Sequence, residues 1–478
     1  AAGAKRCSVY GYPRPTTPAL EMLTREARLY KYCFAPSPWT IPSHASLFSG
    51  LYPSEHGCGL FNRDLPETAQ NLPEFLQKIG YRTVSLTSNL LVSQAGFGQF
   101  HGMNRLFNSP RFLKARQAIA DFKKVSKNDF RRLLFLIRYC WNNKYYSLLL
   151  DNFLDKIYRK YFGDVKSKSQ YATERTFFLA KRLLKKYAAS QPLFIFINCL
   201  ETHWLYYPPS KYIKSANLNS VELRQVKQLD FFDMFYKEVP ENLINILVKL
   251  YELSLQYITD KVCDFYHFLG KLGLRDQTMF IVTSDHGESL GEHGLWGHNF
   301  GLYNEVLHIP LLIKYPGDIG VSGESTQLVQ LHDVFATIME VVRSPWPVPE
   351  SSRSLLSESR AFALAEHLIP VGIRGILRRA PHFQPTREML PCRAIIAGNL
   401  WKLVEWEDGR LELYNLIDDY AETRNLASDP QCAALKGHLY SELHRQLGPF
   451  PPVDWSFMPT PLSAGSGKAS TSVEDEPF

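Results

Sequence analysis

The stretch PSPWTIPSHASLFSGLYPSEHG, residues 36–57, sets Thr40, Ser43, His44 and Ser46 in one short run that closes on Gly50. Pro42 and Ser43 favour the opening of a helix, residues 45–48 can continue it, and Gly50 stands where helices stop. Thr40 is therefore expected just ahead of a short helix, where unpaired N–H groups and the helix dipole favour an anion. A capped helix with a polar start explains the same residues without any chemistry. A second run, SDHGESLGEHGLWGHNF, places Asp285 beside His286, with His293 and His298 on the glycine-broken loop that follows. A carboxylate and an imidazole at the mouth of a buried strand are costly unless paired or bound to a cation. The competing account is a structural Asp cap with an incidental histidine. His308 fits a satisfied histidine at a strand edge. In a third run, ETHWLYYPP, His203 follows an apolar stretch and Pro208–Pro209 stop the chain soon after. Alone, such a histidine reads as structural.

The elements that must position these residues are short apolar runs, each preceded by a helical segment. YRTVSLTSN (81–89), PLFIFINCLETH (192–203) and TMFIVTSDHGE (278–288) have this form, and HIPLLIKYPG (308–317) comes next. Helix followed by continuously apolar strand, repeated, predicts an α/β fold with a mainly parallel central sheet flanked by helices. In such sheets ligands bind at the carboxyl ends of the strands, where NCLETH and TSDHGE fall. Residues 111–170 read as a basic amphipathic helical insert. A solvated insert and peripheral membrane or partner contact both stay open for it. Nucleic acid is not expected, because the basic residues track helical faces and no known module pattern is present.

Composition shifts at VVRSPWPVPESSRS (341–354), which suggests a boundary. The expected organisation is a catalytic domain over 1–343, a linker over 344–392, a small C-terminal α+β subdomain over 393–450, and a disordered tail over 451–478. Within the subdomain, EDG makes a hairpin turn and a helix covers about 430–446. The chain has 478 residues, a net charge of +7, and 45% hydrophobic and 21% charged residues, as in ordinary globular proteins. Its eight cysteines have no CxxC spacing, which suits free thiols in a reducing, cytoplasmic compartment. No stretch approaches the 18 or so apolar residues of a spanning helix. The opening AAGAKRCSVYGYPRPTTP has neither Met, signal-peptide pattern nor strand, so a fragment of a longer chain is expected.

The order TxPSHASLFSG, ETHWxYxPP, SDHGExLGEHGLWGHN, PLLIKYPG and LYNLIDDYAETRNLA resembles the sulfatase family of the alkaline-phosphatase superfamily over roughly residues 7–446. The resemblance implies a nucleophile at Thr40 and metal ligands at Asp285 and His286. It also implies cationic or proton-donating residues at His203 and His298, near the transferred oxyanion. The implied cofactor is a divalent cation. Calcium or magnesium would suit carboxylates, and zinc or manganese would suit imidazoles. A small anionic ester, sulfated or phosphorylated, is the implied substrate. A tetrahedral sulfuryl or phosphoryl group gains charge that a cation, a helix N-terminus and imidazoles can stabilise.

Two departures qualify the resemblance. The family's usual C-x-P-S-R, whose cysteine matures to formylglycine, is here Thr40-Ile41-Pro42-Ser43-His44, and Cys33 is seven residues away. Threonine at this place is similar to phosphodiesterase, phosphonate-hydrolase and phosphoethanolamine-transferase relatives. The acidic first strand that completes the family's metal site is also missing. Three functions are compatible: an ester hydrolase working through a covalent Thr40 ester, a transferase of phosphate-linked head groups at a membrane surface, and a non-catalytic protein with an incomplete metal site.

Overall fold

A computed structural model describes residues 1–59, 62–92 except 63, 64, 67, 70, 88, 90 and 91, and 168–453 except 207 and 371, with residues 138 and 455 as single positions. The basic segment expected over 111–170 lies outside the described residues, save Arg138 and the start of the Lys168–Tyr187 helix. So does the tail beyond residue 455. Among the described residues no helix is long and apolar enough to cross a membrane.

In chain order the strands are β1 (Arg28–Phe34), β2 (Arg82–Thr87), β3 (Leu193–Asn198), β4 (Phe280–Thr283), β5 (Ser289–Leu290), β6 (Trp296–Gly297), β7 (His308–Ile309), β8 (Leu311–Lys314) and β9 (Gly323–Gln330). A later group comprises β10 (Phe362–His367), β11 (Cys392–Ala397), β12 (Trp401–Trp406) and β13 (Leu411–Asn415). The large sheet runs β4–β8–β1–β7, with β9 also on β1. β1 runs parallel to β9 but antiparallel to β7 and β8, and β4 is antiparallel to β8. β2 and β3 form a separate parallel pair. The described sheet is thus mixed, where the sequence predicts mainly parallel pairing. Alternation of helix and strand implies parallel pairing only where each strand follows a crossover helix. β7 and β8 instead follow the four-residue Asn304–Leu307 helix at the end of a long loop.

Against this sheet packs the Thr40–Ser49 helix, every residue of which is buried. Ile41, Ala45 and Phe48 share a core with Tyr30, Phe34, Leu307 and Ile309. Gly50 ends the helix in the left-handed conformation at φ 76°, which glycine adopts without penalty. A second long element, the Glu241–Lys271 helix, buries Leu243, Ile246, Leu247 and Leu250 at the spacing of one helical face. β10 to β13 make an antiparallel meander covered by the Ala433–Leu447 helix through Leu439 and Leu443. Residues 344–392, expected as a linker, contain β10 and the Gly372–Arg379 helix, and β10 pairs along its length with β11.

Candidate active site

The site is built where three loops leave their strands next to the buried helix. Thr40 is the first residue of that helix, one position inside where the sequence suggested it, with Trp39 as cap. Its Oγ1 lies 3.3 Å from His286 Nε2. Asp285 and His286 follow β4, and Asp285 Oδ2 stands 3.2 Å from the same nitrogen. His44, one turn along the helix, donates its Nδ1–H to the Thr40 carbonyl at 2.9 Å and lies 3.4 Å from Asp285 Oδ2. The α-amino group of Ala1 meets the other carboxylate oxygen, Oδ1, at 3.3 Å.

His203 and His298 complete the ring of imidazoles. His298 stacks on His286 with centroids 4.1 Å apart, and His203 meets both edge-on at 5.3 and 5.9 Å. His298 is held by Glu288, whose Oε2 receives its Nδ1–H at 2.7 Å while Oε1 accepts from the Tyr206 hydroxyl at 2.6 Å. Both ring nitrogens of His203 are buried and have no hydrogen-bond partner among the described residues.

Electrostatics separate the roles. Burial alone would raise the Asp285 carboxyl, but His286, the Ala1 α-amino group and His44 outweigh it and hold it well below the usual carboxylate range. Burial pushes the His286 imidazole down to about 4 despite Asp285, and lowers His44 and, more strongly, His203. Near neutral pH His286 is therefore uncharged. Its Nδ1 must carry the proton, because that atom bonds the Gly287 carbonyl oxygen at 2.9 Å. The lone pair on Nε2 then faces the Asp285 carboxylate at 3.2 Å with no proton between them. Two acceptors held this close in a buried site fit a divalent cation, so Asp285 and His286 are residues that could hold one.

Thr40, His203, Asp285, His286 and His298, all singled out in the sequence, come together. His293 does not join them: it stacks on Tyr303 at 3.7 Å and lies 3.9 Å from Glu305. His308 bonds the Lys31 carbonyl and the Tyr420 hydroxyl, a satisfied position at the end of the strand pair. Sequence reasoning missed Glu288 and Tyr206. Glu288 stands inside the SDHGE run, two residues after His286, and a buried carboxylate there is itself a signal of a partner.

Comparison with known proteins follows the same outline. A family profile described as Sulfatase matches residues 1–344, and one described as N-sulphoglucosamine sulphohydrolase, C-terminal, matches residues 291–447. Arylsulfatase K of Rattus norvegicus is 29% identical over 171 residues, covering 34% of this chain. The match takes in only 28% of that relative's length. The ulvan-active sulfatase of Formosa agariphila is 24% identical over 466 residues, covering 91% of this chain and 77% of its own length. The crystal structure of the phosphonate monoester hydrolase of Agrobacterium radiobacter superposes with a TM-score of 0.63 at 16% identity, over 93% of each chain. At that identity the likeness speaks for the fold, the α/β fold of alkaline-phosphatase-like sulfatases.

Proposed function

Since the chain belongs to the sulfatase family, we propose that it is a metal-dependent hydrolase of sulfate or phosphate esters that works through a covalent ester on Thr40. The observation that carries this reading is the 3.3 Å approach of Thr40 Oγ1 to His286 Nε2, with Asp285 beside the same nitrogen. Thr40 Oγ1 forms the new bond to sulfur or phosphorus, and the bond to the leaving oxygen breaks. The proton that Thr40 loses reaches the leaving oxygen by way of His203 or His298. Water then attacks the Thr40 ester, releases sulfate or phosphate and restores the hydroxyl. Asp285 and His286 would hold a divalent cation, which would supply Lewis-acid polarisation of the ester and favour ionisation of the Thr40 hydroxyl. The first turn of the helix adds its dipole at the same place.

A formylglycine route has no matching residue, since Cys33 lies within β1 opposite Ile309. Relatives named for sulfate esters and a neighbour named for phosphonate monoesters support both arms of the substrate class.

The test compares hydrolysis of 4-nitrophenyl sulfate and bis(4-nitrophenyl) phosphate with calcium, magnesium or manganese supplied. A metal-dependent rate that falls on the order of 10³-fold or more in Thr40→Ala is the expected result. If Thr40→Ala keeps the wild-type rate, Thr40 is not the nucleophile and the proposal fails.

A further inference from the structure

We propose that His203, His286 and His298 form a three-imidazole cation site suited to zinc, whose occupation withdraws groups the ester chemistry uses and so inhibits the enzyme. The inhibition rests on the hydrolase reading above, whereas the binding does not. One nitrogen from each ring lies within 4.8 Å of the other two. What the opposite nitrogens do fixes which atoms face the centre. His286 Nδ1 bonds the Gly287 carbonyl at 2.9 Å and His298 Nδ1 bonds Glu288 at 2.7 Å, so both present Nε2. A carbonyl or carboxylate behind the ring is the backing that metal-bound histidines carry.

His203 is the second, independent observation. Neither of its buried nitrogens has a hydrogen-bond partner among the described residues, an arrangement that costs free energy and that a bound cation relieves. Tetrahedral zinc, with Zn–N bonds of about 2.0–2.1 Å, brings its ligand nitrogens to roughly 3.4 Å of one another. The rings therefore close by up to about 1.4 Å, within reach of side-chain rotation. Asp285 Oδ2, 3.2 Å from His286 Nε2, is near enough to contribute a fourth ligand.

Ligand chemistry decides which ion enters. Imidazole suits zinc, cobalt and copper, whereas calcium and magnesium take oxygen donors. Zinc on the three rings ties up the lone pairs of His203 and His298, the two groups that carry the proton to the leaving oxygen. It also takes His286, one of the two residues that would hold the catalytic cation, and so competes with that cation.

The probe is zinc chloride titrated calorimetrically into the full chain, with cobalt(II) as an optical reporter of geometry. We expect one zinc per chain, bound at least tenfold more weakly by His203→Ala and by His298→Ala and with unchanged affinity by Thr40→Ala. Cobalt should give the intense visible bands of a tetrahedral site. Affinities within twofold of wild type in both histidine variants overturn the site, as does a weak six-coordinate cobalt spectrum. Thermal melting without metal checks that each variant folds, and His203→Gln and His298→Gln replace any alanine variant that does not. With manganese-loaded enzyme, hydrolysis should fall on adding zinc. A rise overturns the inhibition while leaving the binding result intact. If no metal ever supports hydrolysis, the hydrolase reading fails and the zinc titration still decides the site.

Discussion

Gly287 lies between His286 and Glu288, and its replacement by alanine probes how tightly the metal-competent loop is held. A Cβ at this position would overlap the carbonyl oxygen of Glu305 and lie 2.9 Å from its carbonyl carbon and 3.1 Å from Val306 Cα. These are backbone atoms, so no side-chain rotation relieves the clash. Cβ contacts under 3.0 Å essentially never occur, and the two segments must part by about 1 Å. They are joined by the Gly287 N–H to the Val306 carbonyl at 2.8 Å and the Glu288 N–H to the Glu305 carbonyl at 2.9 Å. Overpacking of this kind costs about 1–3 kcal/mol, and each backbone hydrogen bond lost adds about 1 kcal/mol. Gly287→Ala is therefore expected to destabilise by roughly 2–5 kcal/mol, according to whether one or both bonds are lost. A displacement of about 1 Å at reacting groups also costs on the order of 10²-fold in rate, and His286 adjoins the strained bond. Urea denaturation gives the stability and 4-nitrophenyl ester hydrolysis gives the rate. Gly437→Ala is the control: nothing lies within 4 Å of its Cβ in the Ala433–Leu447 helix, and a gain of about 0.5–1 kcal/mol is expected. Should Gly287→Ala match wild type in both stability and rate, the loop is not clamped against Glu305 as described.

Two further outcomes follow from buried charges. Glu201 is buried, and burial raises its carboxyl to about 7 from an ordinary 4.5. Between those values the folded state keeps a proton that the unfolded chain releases. Stability should thus fall as pH rises through the window, by up to roughly 1.4 kcal/mol per unit, and Glu201→Gln should flatten that slope. Identical slopes in melts from pH 4.5 to 7 would sink the argument. Lys402 and Glu422 form a pair at 2.6 Å with both side chains at 0% exposure. Lys402→Met leaves the carboxylate unpaired and should cost about 3–5 kcal/mol. Because burial already raises Glu422 to about 7, the loss should be smaller at pH 5 than at pH 8. Adding Glu422→Gln should restore most of it, and strictly additive costs would refute the coupling.

ETHWLYYPP and SDHGE were legible because they set polar, metal-competent residues directly after apolar strands, and the Thr40 run because a polar helix start closes on Gly50. The β2, β3, β4 and β8 cores were legible for the complementary reason, as short unbroken apolar runs. Strand direction was not, since a strand buried on both faces shows the same pattern whichever way it points. β1 and β9 escaped notice because RLYKYCF mixes charge with aromatics and the first residues of GESTQLVQ face solvent. β10, FALAEH, sat in a segment whose prolines and serines masked it, although Glu366 there takes both the backbone N–H and hydroxyl of Ser54 and its own carbonyl accepts from Ser37. Such contacts across more than 300 residues leave no local trace.

The choice of Thr40 among its neighbours can be argued by elimination on the helix itself. Four residues of Thr40–Ser49 carry hydroxyls, and three are committed locally. Ser43 donates to the Ser37 carbonyl at 2.7 Å, and Ser49 donates to the Ala45 carbonyl at 2.6 Å. Ser46 meets His56 Nε2 at 3.0 Å. In that histidine Nδ1 accepts from the Cys58 N–H, so Nε2 carries the proton and Ser46 is the acceptor. Thr40 alone of the four points its hydroxyl at an imidazole whose lone pair is available, since His286 spends its proton on Gly287. A hydroxyl activated by a cation must reach the residues that would hold that cation, and the three serines are turned to other partners instead. His44 sharpens the contrast. Where the family pattern has arginine, a permanent cation, this chain has a buried imidazole whose pKa burial lowers. Under the proposed mechanism a bound cation would supply the positive charge that arginine otherwise brings, and hydrolysis would depend on metal more than at an arginine-bearing site.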